Sequence, residues 1–203
     1  MNDKTKYVNL LKAMKKVFDR HKIFFWLDYG TLLGAIRENK IIDWDEDVDI
    51  GMDIHDIIKV LDTREDFLNE GYVLKMNKGH GNYLFYDKNT GEHLGCILPT
   101  TPIDGYQVRV KYARFIKICI LLDNWNTHKK LWRFLFKHKL YKPTTVNSPV
   151  DYLGKFKKYK FYGIEFNIPE FPEKYLTYMY GNWKKPDKKG RFNKGTLQEV
   201  KNG

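Results

Sequence analysis

Cysteine is nearly absent. Cys96 and Cys119 are the only two in 203 residues, so one disulfide at most can form. No CxxC pair or Cys/His cluster is present to hold a structural zinc ion. The simplest expectation is two buried thiols in a reducing cytoplasm. Long apolar runs are also missing. The longest, near Phe115 to Leu122, is broken by Lys117 and falls far short of the ~20 residues that cross a bilayer. The first residues, Met1 to Lys6, lead into an amphipathic pattern without an apolar signal core, so no targeting segment is expected. Acidic side chains are in deficit, with 25 Asp and Glu against 36 Lys and Arg and a net charge of +11. Such an excess implies an anionic partner: nucleotide phosphates, nucleic acid, an acidic polymer or an anionic membrane face. No nucleic-acid module accompanies it, which makes nucleic acid the unlikely member of that set.

Apolar and aromatic residues are plentiful, at 42% and 16%, enough for one real core. A single domain is expected over residues 1–185. Residues 186–203, rich in Lys, Gly and Asn, read as a flexible tail. Tyr7, Leu10, Leu11, Met14, Val17 and Phe18 recur at helical spacing and predict a helix over 4–21. Ile23 to Leu27 predicts a buried strand. Asp28-Tyr29-Gly30 reads as a turn, with Thr31 capping a short helix. A strand over 45–50, ended by Gly51, is followed by an Asp53-capped helix. Strands are expected at 72–74, 83–86, 93–98 and 106–110, with a hairpin loop at 87–91. From about Asp123 the chain reads as mostly helical, with a last helix at Tyr175 to Tyr180. The fold class is therefore α+β (mixed α/β): a small mixed sheet flanked by helices, with additional C-terminal helices.

Against this basic background, five acidic residues crowd into Asp43-Trp44-Asp45-Glu46-Asp47-Val48-Asp49. On a strand, alternate side chains share a face. Asp47 and Asp49 would project together while Val48 and Ile50 enter the core. Two such carboxylates repel unless a positive group lies between them. A hard dication such as Mg²⁺, for which Mn²⁺ can substitute, takes oxygen ligands and bridges to phosphate. Gly30-Thr31 precedes this stretch. Its glycine permits close backbone approach, and the following helix start offers free N–H groups to a phosphate. Arg37 can add a charge-assisted contact. These parts suit chemistry at phosphorus.

The run Tyr29-Gly30-Thr31-Leu32-Leu33-Gly34-Ala35-Ile36-Arg37, followed by Ile42-Asp43-Trp44-Asp45-Glu46-Asp47-Val48-Asp49-Ile50-Gly51, resembles the signature of the LicD family, which has the nucleotidyltransferase fold. Gly163 to Pro169, Tyr175-Leu176, Tyr180-Gly181-Asn182-Trp183 and Pro186 resemble its closing segment. The resemblance implies transfer of a phospho-alcohol, such as phosphocholine or ribitol phosphate, from a CDP-linked donor to a sugar hydroxyl of a glycan or lipid-linked acceptor. It implies Asp47 and Asp49 as the catalytic metal pair, Gly30 and Thr31 as the donor-phosphate loop, and Asp45 as a neighbouring carboxylate that orients the strand. A third carboxylate is usual in this fold, and Pro99 stands at its expected place. Either Asp104 serves instead, as metal ligand or general base, or two carboxylates and donor phosphate hold the metal, or the enzyme is impaired. Asp43 also replaces a usual proline. Delivery of NMP by the same carboxylates is the alternative activity, and non-catalytic nucleotide binding a remoter one. Arg109, Lys111 and Arg114 read as a positive wall or a solvated sheet edge. His80 reads as a loop residue and His93 as structural. Lys129 to Lys142 reads as a buried aromatic helix face or a peripheral contact with the inner face of the membrane, in a protein otherwise expected in the cytoplasm.

Overall fold

The computed structural model describes residues 4–77, 82–103, 106–112, 130, 134, 138 and 141–188. Helix α1 (Thr5–Arg20) buries Tyr7, Leu10, Leu11, Met14, Val17 and Phe18, the stripe that its three-and-four spacing requires. Strand β1 (Phe25–Leu27) leads into α2 (Tyr29–Glu38), and β2 (Val48–Asp53) follows. A 3₁₀ turn capped by the Asp53 carboxylate opens onto two short helices, α3 (Ile57–Val60) and α4 (Arg64–Asn69). Strands β3 (Tyr72–Met76), β4 (Tyr83–Asp87), β5 (His93–Ile103), β6 (Tyr106–Tyr112) and β7 (Tyr141–Pro149) complete the main sheet. The turn α5 (Val150–Leu153), the hairpin β8 (Phe156–Phe161) and β9 (Ile164–Pro169), and helix α6 (Pro172–Tyr180) close the described chain.

The sheet runs β1-β2-β5-β4-β3, with β6 joining the end of β5 and β7 pairing with β6. The β2–β5 pair is parallel and the others are antiparallel. The fold is thus a mixed sheet with helices on both sides. Register separates the two faces. Val48, Ile50 and Met52 pair with Gly95, Ile97 and Pro99 on the face covered by α1. There Phe18 meets Phe25 and Phe67 edge-on at 5.3 and 5.2 Å between ring centres. Asp49 and Gly51 pair with Cys96 and Leu98 on the other face. Gly51 does not end β2. It lies inside the strand opposite Trp26, whose ring would meet a Cβ there at 2.2 Å. The indole takes the room that a side chain would need.

Three further expectations give way. The strand begins at Val48 and not at 45, which leaves Asp45 and Asp47 on its approach. The N-cap of α2 is Asp28 and not Thr31: the Asp28 carboxylate accepts from the Tyr29 N–H at 2.8 Å. Among the described residues after 123 the chain is not mostly helical, for it contains β7, β8 and β9. In the last two, Tyr162 (φ 48°) and Gly163 (φ 77°) make a two-residue turn between Phe161 and Ile164. Positive φ at both positions matches the twist of a tight hairpin. Most of Lys129 to Lys142, with Arg114, Cys119 and His80, lies outside the described residues, and Arg109 and Lys111 are placed in β6 by backbone alone. Among the described residues, no helix is long and apolar enough to cross a membrane.

Helix α6 is tied to the start of α2 through one buried contact. The Tyr175 phenol donates to Asp28 Oδ1 at 2.5 Å, and both residues are fully buried. Burial beside that carboxylate holds the phenol well above its ordinary pKa, so it stays a donor. Tyr175→Phe removes the donor and leaves the carboxylate under-bonded. The expected outcome is a loss of about 1–3 kcal/mol in urea unfolding with little change in its denaturant slope.

Candidate active site

The turn from β1 into α2 grips the acidic strand by its backbone. The Asp28 N–H donates to the Asp49 carbonyl at 3.1 Å, and the Asp49 N–H donates to Thr31 Oγ1 at 2.8 Å. Thr31 is buried, so its hydroxyl serves this bond. Tyr29 carries a φ of 43°, a left-handed conformation that a bulky side chain adopts only under surrounding constraint. The bend sets Gly30 directly against Asp45. A Cβ on Gly30 would stand 2.4 Å from Asp45 Oδ2 and push that carboxylate aside, so the glycine lets it lie against the helix start. Asp45 is held from the far side as well, since Lys4 Nζ donates to its carbonyl at 2.5 Å.

Two cavities meet at this point. One, of about 710 Å³, is bordered by Gly30, Arg37, Trp44, Asp45, Asp49 and Tyr180, and continues along Trp183, Lys185 and Lys188. The other, of about 930 Å³, is bordered by Lys4, Tyr7, Glu46, Asp47, Glu92 and His93. Trp44 and Asp45 line both. Asp49 therefore opens to the first cavity, Asp47 to the second, and Asp45 stands between. Arg37 is engaged at its position. Its guanidinium donates to Glu38 Oε1 at 2.9 and 2.5 Å and to the Trp183 carbonyl at 3.3 Å. It lies 6.0 Å from the Trp44 ring centre, and Lys188 Nζ lies 5.8 Å from the same ring. Pro186, Asp187 and Lys188, read from sequence as the start of a tail, belong to the wall of the first cavity.

The carboxylates are under electrostatic pressure. Burial, then the charge of Asp47, push the Asp45 carboxyl up to about 6. Burial raises Asp47 too; His93 draws it down and Glu46 adds to the rise. Tyr180 is held well above its ordinary pKa by burial and by Asp49, Asp28 and Asp45, so it presents a neutral phenol to the cavity. Cys96 stands beside Asp49 in the β2–β5 pair, with Sγ 2.9 Å from Asp49 Oδ1. Pro99, read as the occupant of a missing acidic position, pairs with Met52 on the opposite face. The group flanking Asp49 across the pair is thus the Cys96 thiol. Asp104 lies outside the described residues. Among the described residues, no group of three His, Cys, Asp or Glu side chains forms a metal cluster. What is present is an all-carboxylate donor set, crowded and half-buried, which fits a hard dication better than a soft one. Trp44, Tyr180, Trp183 and Lys188 border the site without having been singled out for it from the sequence. Trp44, Tyr180 and Trp183 stand in the runs that resemble the family's signature and closing segment, and Lys188 lies beyond them.

Residues 22–171 match the sequence model of the family described as LicD/FKTN/FKRP, nucleotidyltransferase domain. The uncharacterized protein RP689 of Rickettsia prowazekii is 28% identical over 177 residues, 87% of this chain and 54% of that protein. The chain thus spans about half the length of that relative. The lipopolysaccharide cholinephosphotransferase LicD of Haemophilus influenzae is 25% identical over 202 residues, covering 88% of this chain and 73% of that one. The human ribitol 5-phosphate transferase FKRP is 44% identical over 41 residues, 20% of this chain and 8% of that one. The acidic strand, the glycine turn and the matched span agree, and the chain belongs to the LicD family.

Proposed function

We propose that the protein is a metal-dependent transferase that moves a phospho-alcohol from a CDP-activated donor to a sugar hydroxyl of a cell-surface glycan or its precursor. The observation that carries this reading is the meeting of Asp45 and Asp49 with Gly30, Tyr180 and the cations Arg37, Lys185 and Lys188 in one cavity. A nucleoside diphosphate needs all of these: a glycine where backbone must come close, cations for its oxygens, and carboxylates for its metal. The Haemophilus and human relatives, a cholinephosphotransferase and a ribitol 5-phosphate transferase, support choline phosphate or ribitol phosphate as the cargo.

Asp47 and Asp49 would hold Mg²⁺, or Mn²⁺ in its place, with Asp45 beside them. When bound, the ion would supply neutralisation of the charge that develops on the leaving CMP. The protein's own groups do the rest. Gly30 admits the phosphates to the helix start, Arg37 and the lysines balance their charge, and Tyr180 donates a hydrogen bond from a phenol that does not ionise near neutrality. Trp44, flanked by two cations, offers a stacking platform to a base. A cytoplasmic protein that works at the inner face of the membrane on a lipid-linked acceptor accords with the net charge of +11.

CDP-choline, CDP-ribitol and CDP-glycerol are expected to differ in the thermal shift they give with Mg²⁺, one of them dominating, and to give little shift without the ion. Asp47→Asn and Asp49→Asn are each expected to lower CMP release by at least about 100-fold while the far-UV spectrum stays unchanged. Full activity in either variant would remove that carboxylate from the site.

Stability should also follow pH in a defined direction. Asp45 titrates near 6 in the folded protein against an ordinary 3.8, so between these values the folded state holds the extra proton. Metal-free stability therefore falls as pH rises from about 4 to about 6, then levels. Asp47, shifted the same way, adds to the slope. Asp45→Asn should flatten the profile of Tm against pH, and Mg²⁺ with donor should restore most stability above pH 6 by favouring the ionised forms.

A further inference from the structure

The phosphotransfer reading gives no role to a histidine in the wall of the second cavity. His93 opens β5 and lines that cavity beside Asp47. Strict alternation from Cys96 would send position 93 to the α1 face. The β4–β5 ladder is irregular here: Phe85 pairs with Gly95 and the next residue, Tyr86, pairs with His93. Leu94 is thus an extra residue on β5. An insertion of this kind shifts the alternation by one and re-aims its neighbour. His93 is returned to the face that carries Cys96 and Asp49.

The ring is held by packing. It meets the Tyr86 ring edge-on at 5.6 Å between centres. Its Nε2 is buried and, among the described residues, has no hydrogen-bond partner. An orphaned buried polar atom is costly and calls for an explanation. No hydrogen bond has to break for the ring to turn that nitrogen toward the cavity. The surrounding wall suits a polyhydroxy compound, with Tyr7 and Trp44 for its apolar faces, Glu46 to accept from its hydroxyls, and Glu92 already paired with Lys6 at 2.5 Å beside it. Because the two cavities meet at Trp44 and Asp45, a molecule here would approach a donor at Gly30 from the Asp47 side.

We infer that the second cavity is the acceptor subsite and that His93 Nε2 takes the proton of the attacking hydroxyl. The inference rests on the phosphotransfer reading. In the step, the acceptor oxygen forms a bond to the phosphorus that carries the alcohol. The bond from that phosphorus to the bridging oxygen breaks, and its electron pair leaves on the phosphate of CMP. The hydroxyl proton passes to Nε2 and then to solvent.

The test compares wild type with His93→Ala and His93→Gln, using Mg²⁺ and each of CDP-choline, CDP-ribitol and CDP-glycerol. Donor binding is read as a thermal shift. Reaction is read as CMP release into water and with glycerol added as a model acceptor. Both variants should keep the donor's shift and lose on the order of 100-fold in CMP release. Free imidazole should restore part of the release in His93→Ala and none in His93→Gln. Release at the wild-type rate, loss of the donor's shift, or failure of imidazole to rescue would each overturn the assignment. A wild type that turns over while the variants do so equally defeats only this assignment. A wild type that neither shifts nor releases CMP with any of the three donors overturns the phosphotransfer reading, and the assignment with it.

Discussion

The backbone of Asp49 is clasped on both of its polar groups. Its carbonyl accepts from the Asp28 N–H and its N–H donates to Thr31 Oγ1. Both partners lie in the bend between β1 and α2, so the acidic strand and the helix start cannot move independently. Asp28 carries two further duties, capping α2 and receiving the phenol of Tyr175. A single buried aspartate thereby joins the first helix of the site, its strand and the closing helix. The positions of Asp49 and of Asp45 against Gly30 follow from this arrangement. Gly30 lies against Asp45 only because the clasp brings the bend so near.

A basic protein that concentrates its acid at one point gains a local charge contrast. Arg37, Lys4, Lys185 and Lys188 line the same two cavities as the carboxylates. Arg37 is spent on Glu38 and on a carbonyl. The acids stay under mutual repulsion and partial burial, which is why Asp45 holds its proton to about 6. A site satisfied by internal salt bridges would have little left for a ligand. This one keeps both signs of charge available within one pair of cavities, as a phosphate with its counter-ion requires.

Much of this was legible in the sequence, and the rest was hidden for identifiable reasons. The stripe from Tyr7 to Phe18 spelled α1, and the Val48/Ile50 alternation gave the burial of β2 correctly. The glycine turn and the acidic run could be paired because they lie close in sequence. Gly51 misled because its role is set by the Trp26 ring, a neighbour that only the sheet register brings near. Strands β8 and β9 escaped because Lys157, Lys158 and Lys160 break any apolar alternation, and their hairpin is dictated by backbone angles at Tyr162 and Gly163. The family resemblance set Pro99 where a third carboxylate is usual. The register puts it on the other face and sets Cys96 next to Asp49. The inserted residue that returns His93 to the second cavity leaves no mark in the sequence.

The span that matches the family stops at residue 171, yet the phenol that secures Asp28 belongs to Tyr175, and one wall of the first cavity runs to Lys188. Lys4 and Tyr7, which border the second cavity, precede that span on the other side. Evolutionary boundary and working boundary therefore differ. A fragment trimmed to the matched residues would keep the acidic motif intact and still lack the outer shell that makes it a receptacle.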